Sequence, residues 1–221
     1  TRLDAIPSFA QSIVFAADSF SEVSEVDFSR FTELKELVFG ANSFANVGSL
    51  ELVGLHKLES LRFEVGAFAN GFNLVLDDLP SLVDLRRLDN NTESIIVESN
   101  CFNEDDITAL DLSRFTSLKS FIVGDNSFGN MSYLAFSGLP ELESIKIGMG
   151  SFNDYGNELS VKNCTNLREM KIGPSAFQLW SRVVIETVPS LEVIEIGYLY
   201  YNSANFLSTP LELKSTNPRR Q

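Results

Sequence analysis

The chain has 221 residues, 44% of them hydrophobic, with 30 Asp and Glu against 17 Lys and Arg for a formal net charge of −13. That apolar content can fill a core, while the acidic surface repels phosphates and argues against nucleic acid as a partner. No stretch reaches the roughly 18 consecutive apolar residues of a membrane span, so none is predicted.

In chain order, Thr1–Phe9 ("TRLDAIPSF") aligns with Leu74–Leu82 ("LVLDDLPSL"), which predicts that the chain begins within a repeat, on its second strand. It carries neither a starting Met nor a secretory leader, as expected of a processed form or a piece of something longer. An aromatic then recurs at Phe20, Phe44, Phe68, Phe102, Phe128, Phe152, Phe177 and Tyr201, with gaps of 24, 24, 34, 26, 24, 25 and 24 residues. A period of this length is the signature of stacked coils in a solenoid.

Each coil has two alternating halves. In "LESLRFEVGAF" (Leu58–Phe68), Leu58, Leu61 and Phe63 face one way, and Ser60 and Arg62 the other. A Gly follows in most copies (Gly40, Gly124, Gly148, Gly173, Gly197), where a side chain would clash. Asn or Gly comes next, tolerant of left-handed turns, and then a small residue that admits the aromatic. The periodic Phe is predicted to form a core spine stacked coil on coil. The second half reads as another short strand at Leu50-Glu51-Leu52, Leu74-Val75-Leu76, Leu110-Asp111-Leu112, Leu134-Ala135-Phe136, Leu159-Ser160-Val161 and Val183-Val184-Ile185. No segment carries a sustained 3.6-residue apolar stripe, so helix is expected to be minor.

The phrase L-x-x-L-x-[IFV]-G resembles the strand segment of leucine-rich repeats. "NCTNLREMKIGPSAF" (Asn163–Phe177) is especially similar to the BspA-like subtype of microbial and protist surface proteins. The commonest leucine-rich pattern has an Asn ladder that appears here only in some copies, and the Phe spine dominates. The expected fold is mainly β: a leucine-rich-repeat solenoid of about 8 coils of 24–26 residues, with two parallel sheets and one domain over residues 1–221. The resemblance implies binding or adhesion.

Residues 26–68 match residues 110–152 at a constant offset of 84, with 20 of 43 positions identical, so a block spanning approximately 12–87 and 94–172 reads as duplicated. The seam is residues 83–92, "VDLRRLDNNT", which is either a projecting loop or a strand at Leu85 with a short link.

The residue between the last two inward positions of each first strand faces outward: Val14, Val38, Arg62, Arg86, Ile96, Ile122, Lys146, Lys171 and Glu195. Read as one stripe on the concave sheet, these are the candidate binding residues. Two positions earlier the series is mostly small or acidic, including Ser94, Ser120, Ser144 and Glu169. Glycosylation sequons begin at Asn90, Asn130 and Asn163, all in predicted loops or corners, which adds support for secretion.

Catalysis finds little footing. His56 is the only histidine and occupies a turn slot that elsewhere holds Pro. Cys101 and Cys164 lie about three coils apart, beyond the roughly 7 Å reach of a disulfide. No nucleophile motif, phosphate-cradling loop or metal-ligand set appears, and no cofactor is expected. A glycan-processing solenoid would need carboxylates and aromatics clustered on one sheet, which the outward series lacks. The C-terminal "PLELKSTNPRRQ" (Pro210–Gln221) resembles another second strand. The expected function is a non-enzymatic extracellular or cell-surface scaffold for a protein or glycan ligand. The alternative is a structural subunit that forms homo-oligomeric filaments through its ends.

Overall fold

A computed structural model describes residues 3–82, 91–103, 108–197, Asn205 and 211–214. Its strands are β1 (Ser12–Val14), β2 (Glu36–Phe39), β3 (Ser49–Val53), β4 (Ser60–Phe63), β5 (Phe72–Asp77), β6 (Thr92–Val97), β7 (Ala109–Asp111) and β8 (Ser120–Val123). They continue with β9 (Tyr133–Ser137), β10 (Ser144–Ile147), β11 (Glu158–Lys162), β12 (Glu169–Ile172), β13 (Val183–Glu186), β14 (Val193–Ile196) and β15 (Leu211–Lys214). All pairings between them are parallel, and the chain winds through about 7 turns, slightly fewer than expected. The predicted second strands are β3, β5, β7, β9, β11 and β13, and the C-terminal one is β15.

The amino end departs from its expected strand: Leu3–Ala5 is a single 3-10 turn. Arg30 donates from Nη2 to the carbonyls of Leu3 (2.6 Å) and Ile6 (2.9 Å), which holds the turn without a neighbouring ladder.

Two kinds of corner close each coil. At the first, Gly40 lies against the backbone of Phe15–Ala17, and Gly124, Gly148, Gly173 and Gly197 stack on one another so closely that a Cβ on Gly148 would lie 2.4 Å from the carbonyl carbon of Gly124. Immediately afterwards the chain enters the left-handed region twice, once at an Asn or Gly (Asn42, φ 56°; Asn126, φ 54°; Gly150, φ 65°) and again at the spine Phe itself. Phe20, Phe44, Phe68, Phe102, Phe128, Phe152 and Phe177 have φ between 55° and 58°. The reason is a backbone ladder. The amide of Asn126 donates forward to Met149 (2.8 Å), while that of Phe128 donates back to Cys101 (2.9 Å). A left-handed residue costs roughly 1–2 kcal/mol. Burying a Phe contributes about 1.5–3 kcal/mol, and its ring stacking about 0.5–1.5 kcal/mol more, so packing wins.

The small residue between them is a connector as well as a space-maker. Ser127 Oγ accepts from the Cys101 amide (3.0 Å) and donates to the Glu98 carbonyl (2.9 Å). Ser151 Oγ repeats this with the Ser127 amide (3.0 Å) and the Gly124 carbonyl (2.7 Å). The second corner turns through Gly54, Asp78, Gly138, Asn163 and Thr187, also left-handed.

Among the described residues the Phe spine runs in two columns. Phe20, Phe44 and Phe68 stack at 4.8 and 5.6 Å, and Phe102, Phe128, Phe152 and Phe177 at 4.9, 5.0 and 4.9 Å. A further column, Phe15, Phe39 and Phe63, stacks at 5.6 and 5.0 Å and meets the first edge-on. In the later coils its place is taken by Val97, Val123, Ile147 and Ile172.

The columns break because the sheets change partners. Hydrogen bonding gives a three-stranded sheet β1-β2-β4, a seven-stranded sheet β14-β12-β10-β8-β6-β5-β3, and a five-stranded sheet β15-β13-β11-β9-β7. The seam lets β6, a first strand by sequence, pair with the second strand β5 (Leu74 with Ile95, Leu76 with Val97). From there on, first strands extend the sheet that second strands began. Most of the seam, residues 83–90, and Tyr201 lie outside the described residues. Local geometry nonetheless repeats across the duplication. Asp27 accepts from the Ser29 amide as Asp111 does from Ser113, and Arg30 and Arg114 lie 4.6 and 4.8 Å over Phe31 and Phe115.

Two substitutions test this construction. Phe128→Ala removes a fully buried ring and is expected to cost about 3–5 kcal/mol in chemical denaturation. Gly148→Ala forces backbone apart where no side chain can yield, and loss of at least as much stability is expected. A near-neutral result for either would contradict the corner stacking.

Candidate functional site

The outward row predicted as one stripe is divided between two sheets. Val14, Val38 and Arg62 are cross-strand neighbours on the three-stranded sheet. Ile96, Ile122, Lys146, Lys171 and Glu195 are neighbours on the seven-stranded sheet, where the row continues through Val75 to Glu51. Arg86 lies outside the described residues. The division follows from the partner change at the seam, which period counting could not register.

On the smaller sheet Val14 is 64% exposed and Arg62 lies 3.5 Å from Glu64, but Val38, expected to be an accessible binding residue, is buried at 2% exposure and offers no surface to a ligand. On the larger sheet Val75, Ile96 and Ile122 form a partly buried aliphatic run. Beside it lies a row of hydroxyls. Ser94 Oγ and Ser120 Oγ are 2.7 Å apart, and Ser144 Oγ donates to Glu169 Oε1 at 3.4 Å. The serines are short, so the aliphatic row stands as a ridge above them.

The basic pair is not a bare cationic patch. Lys146 Nζ lies 3.1 Å from Glu169 Oε1, Lys171 Nζ 3.0 Å from Oε2, and Lys171 also 3.8 Å from Glu195. Hydrogen bonds from Lys171 and Lys146 hold the Glu169 carboxyl below its ordinary 4.5, and Glu169 in turn pushes Lys171 upward. This clamp was readable in part: Glu169 stands two positions before Lys171. Its contact with Lys146 needs the register.

The remaining candidates have structural surroundings. Asn130 Nδ2 donates to the Asn103 carbonyl at 2.6 Å within a ladder between coils, and the following Met131 is buried. Asn163 fills a left-handed corner slot (φ 55°), and its side chain is exposed. Asn90 lies outside the described residues. His56 Nε2 is 2.6 Å from Asp78 Oδ2 at an exposed corner. Cys101 and Cys164 are both buried free thiols, pushed upward in pKa by burial, in the slots of the corner hydroxyl and of a core Leu respectively. Among the described residues no group of three or more His, Cys, Asp and Glu is placed to hold a metal, and no helix is long and apolar enough to cross a membrane.

No protein-family model, curated protein or solved structure matches the chain.

The clamp makes stability depend on pH with a definite sign. Because the Glu169 carboxyl is depressed in the folded state, its contribution is complete above 4.5 and is lost as pH falls through the lower folded value. Thermal melts of wild type and Glu169→Gln are therefore expected to differ above pH 4.5 and to converge below it. A gap that persists or widens in acid would refute the clamp.

Proposed function

We propose that this chain is a non-enzymatic binding scaffold of leucine-rich-repeat character, extracellular or at a cell surface, which engages a protein or glycan through the outward side of its seven-stranded sheet. The observation that supports this reading is the run Val75–Ile96–Ile122 beside Ser94, Ser120 and Ser144. Apolar side chains there stand in register across three strands, next to hydroxyls that can form hydrogen bonds. Such a mixture suits a ligand with both apolar and polar groups. The BspA-like resemblance points the same way.

A second reading is a structural subunit stacked end to end. Val193 and Ile194 favour it, being 42% and 40% exposed on β14, the last strand of that sheet among the described residues.

Screening on glycan and extracellular-protein arrays is expected to yield a ligand that the pair Ile96→Glu with Ile122→Glu loses and Val14→Glu keeps, with unchanged circular dichroism. Loss confined to Val14→Glu would move the site to the three-stranded sheet. Growth into open polymers in sedimentation velocity, blocked by Ile194→Glu, would favour the stacking reading instead.

A further inference from the structure

The duplication supplies an internal comparison that exposes an opened strand pair. In the second copy β7 pairs with β9, with Ala109 opposite Tyr133, Leu110 opposite Leu134 and Asp111 opposite Ala135. The Ser132 and Tyr133 amides both donate to the Thr108 carbonyl (2.8 and 3.1 Å), and the Leu112 amide donates to Ala135 (2.9 Å). At the offset of 84 the same positions in the first copy are residues 24–28 and strand β3. There no backbone hydrogen bond joins the two segments, and residues 24–28 form no strand. Among the described residues β3 is the edge of the seven-stranded sheet, bonded only to β5. A groove of about 480 Å³ lies between them, lined by residues including Glu25, Val26, Asp27, Ser49, Glu51 and Val53.

The sequence difference explains the opening. Closing the pair would set Asp27 directly opposite Glu51, with Glu25 alongside, where the second copy has Asp111 opposite Ala135. Like charges facing each other across a ladder are destabilising. Gly48 and Ser49 also replace Ser132 and Tyr133, so the Ser132 hydroxyl bond to Thr108 (2.8 Å) is lost. The nearby Arg30 does not fill the groove with positive charge, since its guanidinium bonds Leu3 and Ile6 and covers Phe31.

We propose that this groove binds an extended basic peptide segment, which adds as a strand to the free edge of β3 while its Lys or Arg side chains meet Glu25, Asp27 and Glu51. The volume lies within the roughly 300–1,000 Å³ range of ligand pockets. Strand addition supplies affinity through main-chain bonds, and alternate side chains supply selectivity. The acidic rim rejects acidic segments. Glu51 ends the outward row that holds Ile96 and Ile122, two strands away from Ile96. The pair Ile96→Glu with Ile122→Glu is expected to leave peptide binding in the groove unchanged, so either reading can fail alone.

The probe is a capped seven-residue peptide of alternating Lys and Val, titrated against the whole chain by fluorescence anisotropy, with amide hydrogen exchange read at Gly48 and Ser49. Binding is expected, with slowed exchange at those amides. Affinity should fall about tenfold or more in the Asp27→Lys, Glu51→Lys variant, whose fold is checked by its melt. A peptide N-methylated at alternate amides, which needs no protein variant, is expected not to bind. Absence of binding, equal binding of the Glu-for-Lys peptide, survival of binding after N-methylation, or unchanged exchange at β3 would each overturn the proposal.

Discussion

The structure depends on how closely consecutive coils approach at the glycine corner. Parallel strands about 4.8 Å apart leave room for backbone but not for a Cβ pointing at the neighbour. The stacked glycines grant that approach, and the carbonyls and amides of successive coils then saturate one another. Once this ladder is in place, the conformation of the following residues is no longer free. The spine Phe must adopt a left-handed φ that an aromatic avoids elsewhere, and the ring pointed inward by that φ stacks on the rings above and below. Strain and packing are thus two sides of one corner. The strain is tolerated because it is coupled to burial and stacking of an aromatic ring.

The same logic explains why the slot before the aromatic holds Ser, Cys or Ala. At Ser127 and Ser151 the hydroxyl bridges two coils, accepting one amide and donating to one carbonyl, while at Ser19 and Ser43 it donates within its own coil, to the carbonyls of Ala16 and Gly40. Ala67 and Ala176 keep the space and forgo the bridge. Cys101 keeps the space with a thiol whose hydrogen bonding is weak, and its own amide is satisfied by Ser127 of the next coil. At Cys101, Ser127 and Ser151 the buried polar groups are members of a chain that continues from coil to coil.

The change of partners between β5 and β6 has the largest consequence for which side chains share an outward face. A copied block that had joined in phase would have put Val14, Val38, Arg62 and Ile122 on one face. Joined out of phase, the two copies contribute different faces of the repeat to the same seven-stranded sheet. Second-strand residues Glu51 and Val75 precede first-strand residues Ile96 to Glu195. The aliphatic ridge, the lysine–glutamate clamp and the acidic groove all belong to this composite sheet, at its centre and toward its two ends. The protein's strong negative charge is distributed accordingly. Lys146 and Lys171 face each other in register, and Glu169, diagonal to one and on the strand of the other, pairs with both. Asp27 and Glu51, which would face each other, instead stand on segments that are not joined by backbone bonds.

By itself the sequence determined the repeating unit: its two strands, its glycine and aromatic slots, its parallel pairing and its inward side chains. These follow from local alternation and from the requirement that every coil satisfy an identical neighbour, so each copy states them again. It left three things undecided. The left-handed φ of the spine Phe comes from hydrogen bonds to coils on either side, not from a residue preference. The division of the outward row comes from the pairing of β5 with β6, a relation between segments that no period records. The opening between residues 24–28 and β3 comes from like charges 24 residues apart, each unremarkable on an acidic surface until register sets them opposite one another. Tertiary structure decided these because each is a property of a contact, and the chain alone encodes only the partners.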